Sequence, residues 1–292
     1  MDFSTEQLRT LAAVLDAGTL DAGARALNVT PSAISQRLKA MENQLGRLLL
    51  IRSKPLRPTE SGMVVLRLAR QVELLQREAA AALTPESNTL TRIPVVVNAD
   101  SLATWFLTAV AGLDSVALEI VSDDQAHSVD LLRHGSVMAA VTSVEEPVQG
   151  CWSTLIGGMT YRATASPTYL QRWMPEGVSS TSLARAPFVV FNHKDALQQD
   201  YLLARGVDPS APPRHFVPGS ADFLHAVELG MGWGMLPDEQ AAPGIARGDL
   251  VQLTGGAPLH VPLYWQQWAL ESVALRAVAT AAAAGAPGRP AR

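Results

Sequence analysis

The chain holds a single cysteine, Cys151, among 292 residues. One thiol closes no intrachain disulfide and supplies no zinc site of the multi-cysteine kind, so Cys151 reads as a small buried hydrophobe. Long apolar runs are missing too: no stretch of about eighteen apolar residues occurs, which excludes a membrane span. The N-terminus, Met1-Asp-Phe-Ser-Thr-Glu, is acidic and soon helix-forming. It is not a signal peptide, and the expected location is cytoplasmic. Catalytic signatures are lacking as well. The histidines at 127, 134, 193, 215, 225 and 260 are dispersed, with no His-x-x-x-His pair, Gly-rich phosphate loop or Gly-x-Ser-x-Gly elbow. No enzyme, metal site or cofactor is expected.

The length suits two or three domains with sizeable cores. A net charge of −4 argues against a general nucleic-acid binder, but the charge is unevenly spread. Residues 1–83 carry 11 Lys/Arg against 8 Asp/Glu, a net of +3, while the remainder carries 12 against 19, a net of −7. Between Arg25 and Arg57, seven basic residues (Arg25, Arg37, Lys39, Arg47, Arg52, Lys54, Arg57) face one acid, Glu42. A local basic face on an acidic protein suits specific contact with phosphates.

That basic stretch has a recognisable layout. Ser4 and Gln7 form a capping-box pattern, Phe3 can staple onto Leu8, and Leu8, Leu11, Ala12 and Leu15 recur at helical spacing up to Gly18. Thr19 caps a second helix rich in small residues, and Asn28-Val29 turns the chain. Thr30 caps a third helix with Pro31 in its first turn, running to about Leu45. Ala33, Ile34, Leu38 and Met41 face inward there. Thr30, Ser32, Ser35, Gln36, Arg37 and Lys39 are then candidate DNA contacts, since short polar and long amide or cationic side chains read base edges. A short strand, Leu48 to Ile51, leads into a proline-containing turn flanked by Arg52, Lys54 and Arg57, a wing suited to backbone phosphate. The sequence of elements is that of a winged helix-turn-helix.

Thr59 caps a long helix to about Leu83. Val65, Leu68, Val72, Leu75, Ala79 and Ala82 alternate three and four apart, a coiled-coil seam expected to pair two copies. Leu66, Ala69 and Leu74 form a second face for packing within the chain. Thr84-Pro-Glu-Ser-Asn-Thr is an expected hinge. Beyond Arg92, β-branched runs alternate with helical segments, implying βαβ units and a parallel sheet. Strands are expected at 93–98, 116–122, 137–142, 188–192, 232–237 and 263–268, and helices at 101–113, 129–134, 169–173, 197–205, 223–229 and 271–284. The last eight residues are expected to fray.

Together these features resemble the LysR-type transcriptional regulators, in which a winged helix-turn-helix, a linker helix and a two-lobed effector domain follow in this order. The resemblance rests on Ala26 to Lys39 and Leu48 to Gly62 and extends over the whole chain. A narrower likeness is to the lysine- and arginine-responsive ArgP/LysG subgroup, through Val97-Asn-Ala-Asp-Ser-Leu-Ala-Thr-Trp105, Gln71 to Leu75, Leu183 to Pro187 and Leu263-Tyr-Trp265. After Phe191, where the subgroup tends to Asp-His with further acids, this chain has Asn192-His193-Lys194-Asp195. The resemblance implies an all-α DNA-binding domain over 1–58, a dimerising linker over 59–83 and a hinge over 84–92. It implies an α/β effector domain over 93–292, akin to periplasmic binding proteins, with lobe I at 93–162 and 265–285 and lobe II at 163–264. It also implies double-stranded operator DNA, a second copy of the chain (homodimer or homotetramer) and RNA polymerase as partners. The effector is expected to be L-lysine or L-arginine, with a neutral amino acid or organic acid as the alternative and a solute-binding protein as a remote one.

In such α/β domains ligands bind at the carboxyl ends of strands, in the cleft between lobes. Ser101 opens a helix there and can hold an α-carboxylate, with Thr142 adding a hydroxyl. Asp123 and Asp124 can pair with ammonium or guanidinium, and Trp105 can cover an aliphatic stem or stack on guanidinium. His193, Ser220 and Asp222 complete the candidate effector contacts.

Overall fold

A computed structural model describes residues 2–83, 90–123 and 125–288. The expected hinge at Thr84 to Thr89, together with Asp124 and the last four residues, lies outside the described residues. Two compact units emerge. The first gathers residues 1–96, 112–153 and 265–280, and the second residues 97–111, 154–264 and 281–292.

In the first unit, α1 (Thr5–Ala17) opens on the expected capping box, with Gln7 N–H donating to Ser4 Oγ at 3.2 Å and Ser4 N–H to Gln7 Oε1 at 2.9 Å. Thr19 caps α2 (Leu20–Ala26) and Thr30 caps α3 (Pro31–Leu45), each hydroxyl accepting a backbone N–H at 3.2 Å. These side chains satisfy donors that a first helical turn leaves open. Ile34, Leu38 and Met41 of α3 bury against Leu8, Leu11, Val14 and Ala24. At about 1.5–3 kcal/mol for each large side chain, that core fixes where the outer face of α3 points. Strands β1 (Leu50–Ile51) and β2 (Arg57–Pro58) pair antiparallel as the wing.

Helix α4 (Glu60–Leu83) is capped by Thr59, whose Oγ1 accepts the Gly62 N–H at 3.0 Å. A Cβ at Gly62 would stand 2.0 Å from the Leu49 carbonyl oxygen, so the helix can approach the wing only with glycine there. The expected seam is divided. Val65 is buried in the head's core and Val72 packs against it, while Leu68 and Leu75 are each 42% exposed. Val65, Ala69 and Val72 share one helical face, at i, i+4 and i+7, and that face closes over α1. The apolar row left at the surface is instead Val64, Leu68 and Leu75. The unit is completed by β3 (Thr91–Asn98) up to Val96, β4 (Val116–Asp123), α7 (Gln125–Arg133), β5 (Ala139–Thr142) and the end of β11 (Leu259–Trp268), with strand order β11-β5-β3-β4.

The second unit takes the segment after β3. The expected helix begins at Ala99, not Ser101, because Asn98 is the cap: α5 (Ala99–Ser101) passes through a π turn (Leu102–Phe106) into α6 (Leu107–Val110). There follow β6 (Cys151–Ala165) from Thr154 onward, α8 (Pro167–Trp173), α9 (Ser180–Leu183), β7 (Phe188–Val190), α10 (Leu197–Leu203), β8 (Arg214–Phe216), α11 (Ser220–Glu228), β9 (Gly234–Pro237), α12 (Asp238–Arg247), β10 (Val251–Gln252) and, from Ala281 onward, the end of the last helix, α13 (Val273–Gly285), whose start belongs to the first unit. Strands β7 and β8 are parallel, in keeping with the expected βαβ grammar, although no strand was expected at 214–216. Strands β9 and β10 depart from the parallel expectation: both run antiparallel to β6, with Tyr161 opposite Pro237 and Ala165 opposite Val251. Strand β6 escapes sequence reading because Gly157-Gly158 interrupts it, and α12 because Pro243 and Gly244 lie inside it.

Candidate effector site and DNA-binding surface

Helix α3 presents Ser32, Ser35, Gln36 and Lys39 to solvent beside the exposed cap Thr30. Ser35 Oγ donates back to the Pro31 carbonyl at 3.0 Å. Arg52, Lys54 and Arg57 of the wing are exposed, and like Lys39 they have no acidic partner within 4 Å among the described residues. Arg37 departs from the expectation. It turns toward α1, pairs with Glu6 and donates to Thr10 Oγ1 at 3.4 Å. Its charge is compensated within the head, so it orients α3 and does not belong to the free cationic face.

In the second unit a polar cluster forms where α5 meets β6, α11 and α12. The Asp100 carboxylate accepts from Ser220 Oγ at 2.7 Å through Oδ1 and from Tyr161 OH at 2.8 Å through Oδ2. Gln240 fixes Ser220, donating to its carbonyl at 2.9 Å. Asp100 has only these neutral donors, with no Lys, Arg or His within 4 Å among the described residues. Desolvation pushes its carboxyl above the ordinary range, and the two hydroxyls hold it back only in part. Asp195 is shifted upward for the same first reason and feels the Asp100 charge as well, although the Phe191 and Leu197 amides donate to it at 3.0 and 3.1 Å. Tyr161 is driven well above its usual value by burial and then by the fields of Asp100, Asp195 and Glu239. The nearest cation on the strand, Arg162, is already held by both Asp238 oxygens, at 2.9 and 3.1 Å. The cluster is thus a desolvated negative patch that a cationic ligand can neutralise.

Of the expected effector contacts, Ser220 belongs to this cluster, and Ser101 lies one residue from Asp100. Ser101 is fully buried, with its N–H donating to Asn98 Oδ1 at 2.8 Å and its hydroxyl toward Met159 Sδ at 3.7 Å, while the buried Asn98 Nδ2 has no hydrogen-bond partner among the described residues. Trp105, His193 and Asp222, in the same unit, have other surroundings. Trp105 is buried edge-on against Phe106 and lines a groove with Ala281, Ala284 and Gly285 of the C-terminal helix, none of them in the Asp100 cluster. His193 is exposed, its ring tilted 39° to that of Phe216 with centroids 4.2 Å apart. Asp222 is an exposed first-turn residue folded back toward Gly219. Thr142 is buried at the end of β5 in the first unit, where its hydroxyl accepts the Val144 N–H at 3.2 Å. Asp123 ends β4. Asp100, Tyr161, Asp195 and Gln240 are absent from the sequence-based set. Asp100 carried a signal as the lone charge in the Val95-to-Ser101 run, and Asp195 as the acid of the Asn192-to-Asp195 segment.

Three comparisons with known proteins bear on this geometry. Residues 5–63 match the family described as bacterial regulatory helix-turn-helix protein, lysR family, and residues 103–286 match the LysR substrate binding domain. The chain belongs to the LysR family of transcriptional regulators. This LysR-family chain is similar to the lysine export transcriptional regulatory protein LysG of Corynebacterium glutamicum, with 39% identity over 92% of this chain and 93% of that one. Among solved structures, ArgP from Mycobacterium tuberculosis superposes with a TM-score of 0.87 at 41% identity, covering 97% of this chain and 98% of that one. Full-length LysG from C. glutamicum with bound effector Arg superposes with a TM-score of 0.78 at 36% identity, covering 97% of each chain.

Proposed function

We propose that this LysR-family regulator senses L-arginine and L-lysine and controls genes of basic amino-acid export or metabolism. The observation that carries the reading is Asp100, a desolvated carboxylate held, among the described residues, by the Ser220 and Tyr161 hydroxyls. A guanidinium or ammonium supplies the counter-charge it lacks, and Asp195 reinforces the same field. The related LysG structure with bound effector Arg supports this choice. On the DNA side, Thr30, Ser32, Ser35 and Gln36 contact base edges and adjacent backbone, while Lys39, Arg52, Lys54 and Arg57 contact phosphates. Two copies pair through the exposed row Val64, Leu68 and Leu75, alone or as a dimer of dimers, so that two α3 helices read a two-fold operator. The protein works in the cytoplasm as a regulator and not a catalyst, meeting RNA polymerase at the promoters it occupies.

Titration calorimetry of the full chain with L-arginine, L-lysine, L-citrulline and a panel of organic acids tests the reading. Heat with arginine or lysine and little with citrulline, arginine's neutral isostere, is the expected pattern. No heat with either basic amino acid refutes it.

A further inference from the structure

Helix α4 does more than join the head to the rest of the chain. Over residues 65–72 its apolar side chains close the head's core. Two polar side chains interleaved with them, Arg67 and Arg70, are engaged elsewhere in the same unit. Arg67 Nη1 donates to the Gln149 carbonyl at 2.6 Å, and its Nη2 donates to the Gly150 carbonyl and lies 3.3 Å from Cys151 Sγ. The same guanidinium stands 5.8 Å from the centre of the buried Trp268 ring. Arg70 Nη1 donates to two more carbonyls, Gly135 and Ser136, each at 2.7 Å, while its Nη2 pairs with Asp16 of α1 at 2.6 Å. Two turns further on, the Glu78 carboxylate accepts from the Ser272 hydroxyl at 2.6 Å and the Ala274 amide at 3.0 Å, at the start of α13.

These contacts have a common design. Three charged side chains on one helix reach three separate loops of the effector part, at 135–136, 149–150 and 272–274. The four carbonyls they capture cannot lose that role by side-chain rotation. Gly135 is placed to allow it: its φ is +73°, and a Cβ there would press at 3.3 Å on the backbone of Arg67. Arg70 is the hinge of the set, since one guanidinium holds both α1 of the head and the loop after α7. Fork-shaped donors on carbonyls are directional, so a small loop displacement breaks several at once. Polar contact between folded parts of a chain is also the kind that opens reversibly.

We propose that Arg67, Arg70 and Glu78 form a latch that docks the linker helix, and with it the DNA-binding head, onto these three loops, and that its release is the step that reorients the recognition helix. The latch does not depend on which effector binds. It assigns a regulatory role to three residues of the linker whose part would otherwise be only to carry the dimer row.

The test uses the full chain with spin labels at Asp21→Cys on the head and Asp114→Cys on the effector part, both exposed, diluted with excess unlabelled chain so that only intrachain distances report. The buried Cys151 stays in place. The labelled parent is expected to give one narrow distance distribution. Since a charged hydrogen bond weighs roughly tenfold or more in such an equilibrium, Arg67→Ala with Arg70→Ala is expected to move most of the population to a second, longer distance. Glu78→Ala should shift a smaller share, and Glu78→Gln, which keeps an acceptor, should stay close to the parent. Far-UV circular dichroism checks folding. Should the arginine pair prevent folding, Glu78→Ala against Glu78→Gln decides alone. Variant distributions superimposable on the parent's overturn the proposal, as does a parent that shows no defined short distance.

Discussion

Replacing Asp100 with asparagine removes one charge from the second unit and almost no volume. The asparagine oxygen can accept from one of the two hydroxyls that now meet the carboxylate at 2.7 and 2.8 Å. Its amide can donate to the other, because hydroxyl protons re-aim freely. The fold should therefore survive. Binding of a cationic effector should not. Truncating one member of a desolvated charge pair costs about 2–5 kcal/mol, much of it from the charge left stranded. Here the stranded charge belongs to the ligand, which can return to water, so the lower part of that range applies. A loss of about 2–3 kcal/mol is roughly 30- to 150-fold in Kd. Stability should move the other way. The raised pKa of Asp100 in the folded chain means that folding favours its protonated form. That benefit is complete below the unfolded-state value and lost as pH rises through the folded-state value. At pH 7, above the unfolded-state value, some or all of that benefit is gone, so ligand-free Asp100→Asn should melt higher than the parent, with the gap closing toward pH 4. Calorimetry with arginine and citrulline, paired with melting curves across pH, reads both effects. A variant that binds arginine within threefold of the parent would refute Asp100 as the cation's partner.

Other outcomes follow from the same structure. Lys39→Ala and Arg52→Ala should each weaken operator binding whatever the sequence and lower the salt slope of log K by about one, measured by fluorescence anisotropy from 50 to 200 mM salt; an unchanged slope removes that residue from the phosphate contacts. Arg37→Ala, whose charge is already met by Glu6, should leave the slope near the parent's and cost about 0.5–1 kcal/mol of head stability in urea unfolding. Arginine affinity should fall as pH drops, beginning above the ordinary carboxylate range because Asp100 and Asp195 are both shifted upward by desolvation; an affinity flat from pH 7 to 4.5 would argue against ionised carboxylates in the site.

The head was legible almost residue by residue. Its caps at Ser4, Thr19 and Thr30 and its inward row of Ile34, Leu38 and Met41 are local matters, decided within one turn of helix. The α/β part was legible in kind but not in register. Strand β6 and helix α12 were lost to a glycine pair and an internal proline, whose local penalties are outweighed once neighbouring elements bury the segments.

What the sequence alone determined was the order and type of parts: a basic winged head, a long helix, and an α/β remainder of opposite charge. These depend on neighbours three or four residues apart, and on composition. Only the tertiary structure decided which side chains act together. Asp100 meets Tyr161 and Ser220 across 61 and 120 residues of chain, and Tyr161 is not marked by its own surroundings. Arg37 turned from the DNA face to Glu6, 31 residues away. The linker's face was divided between the head's core and the surface by a rotation that the three-and-four spacing does not encode. Long-range pairing and burial create the desolvation that gives Asp100 its character, and no local pattern of residues reports either.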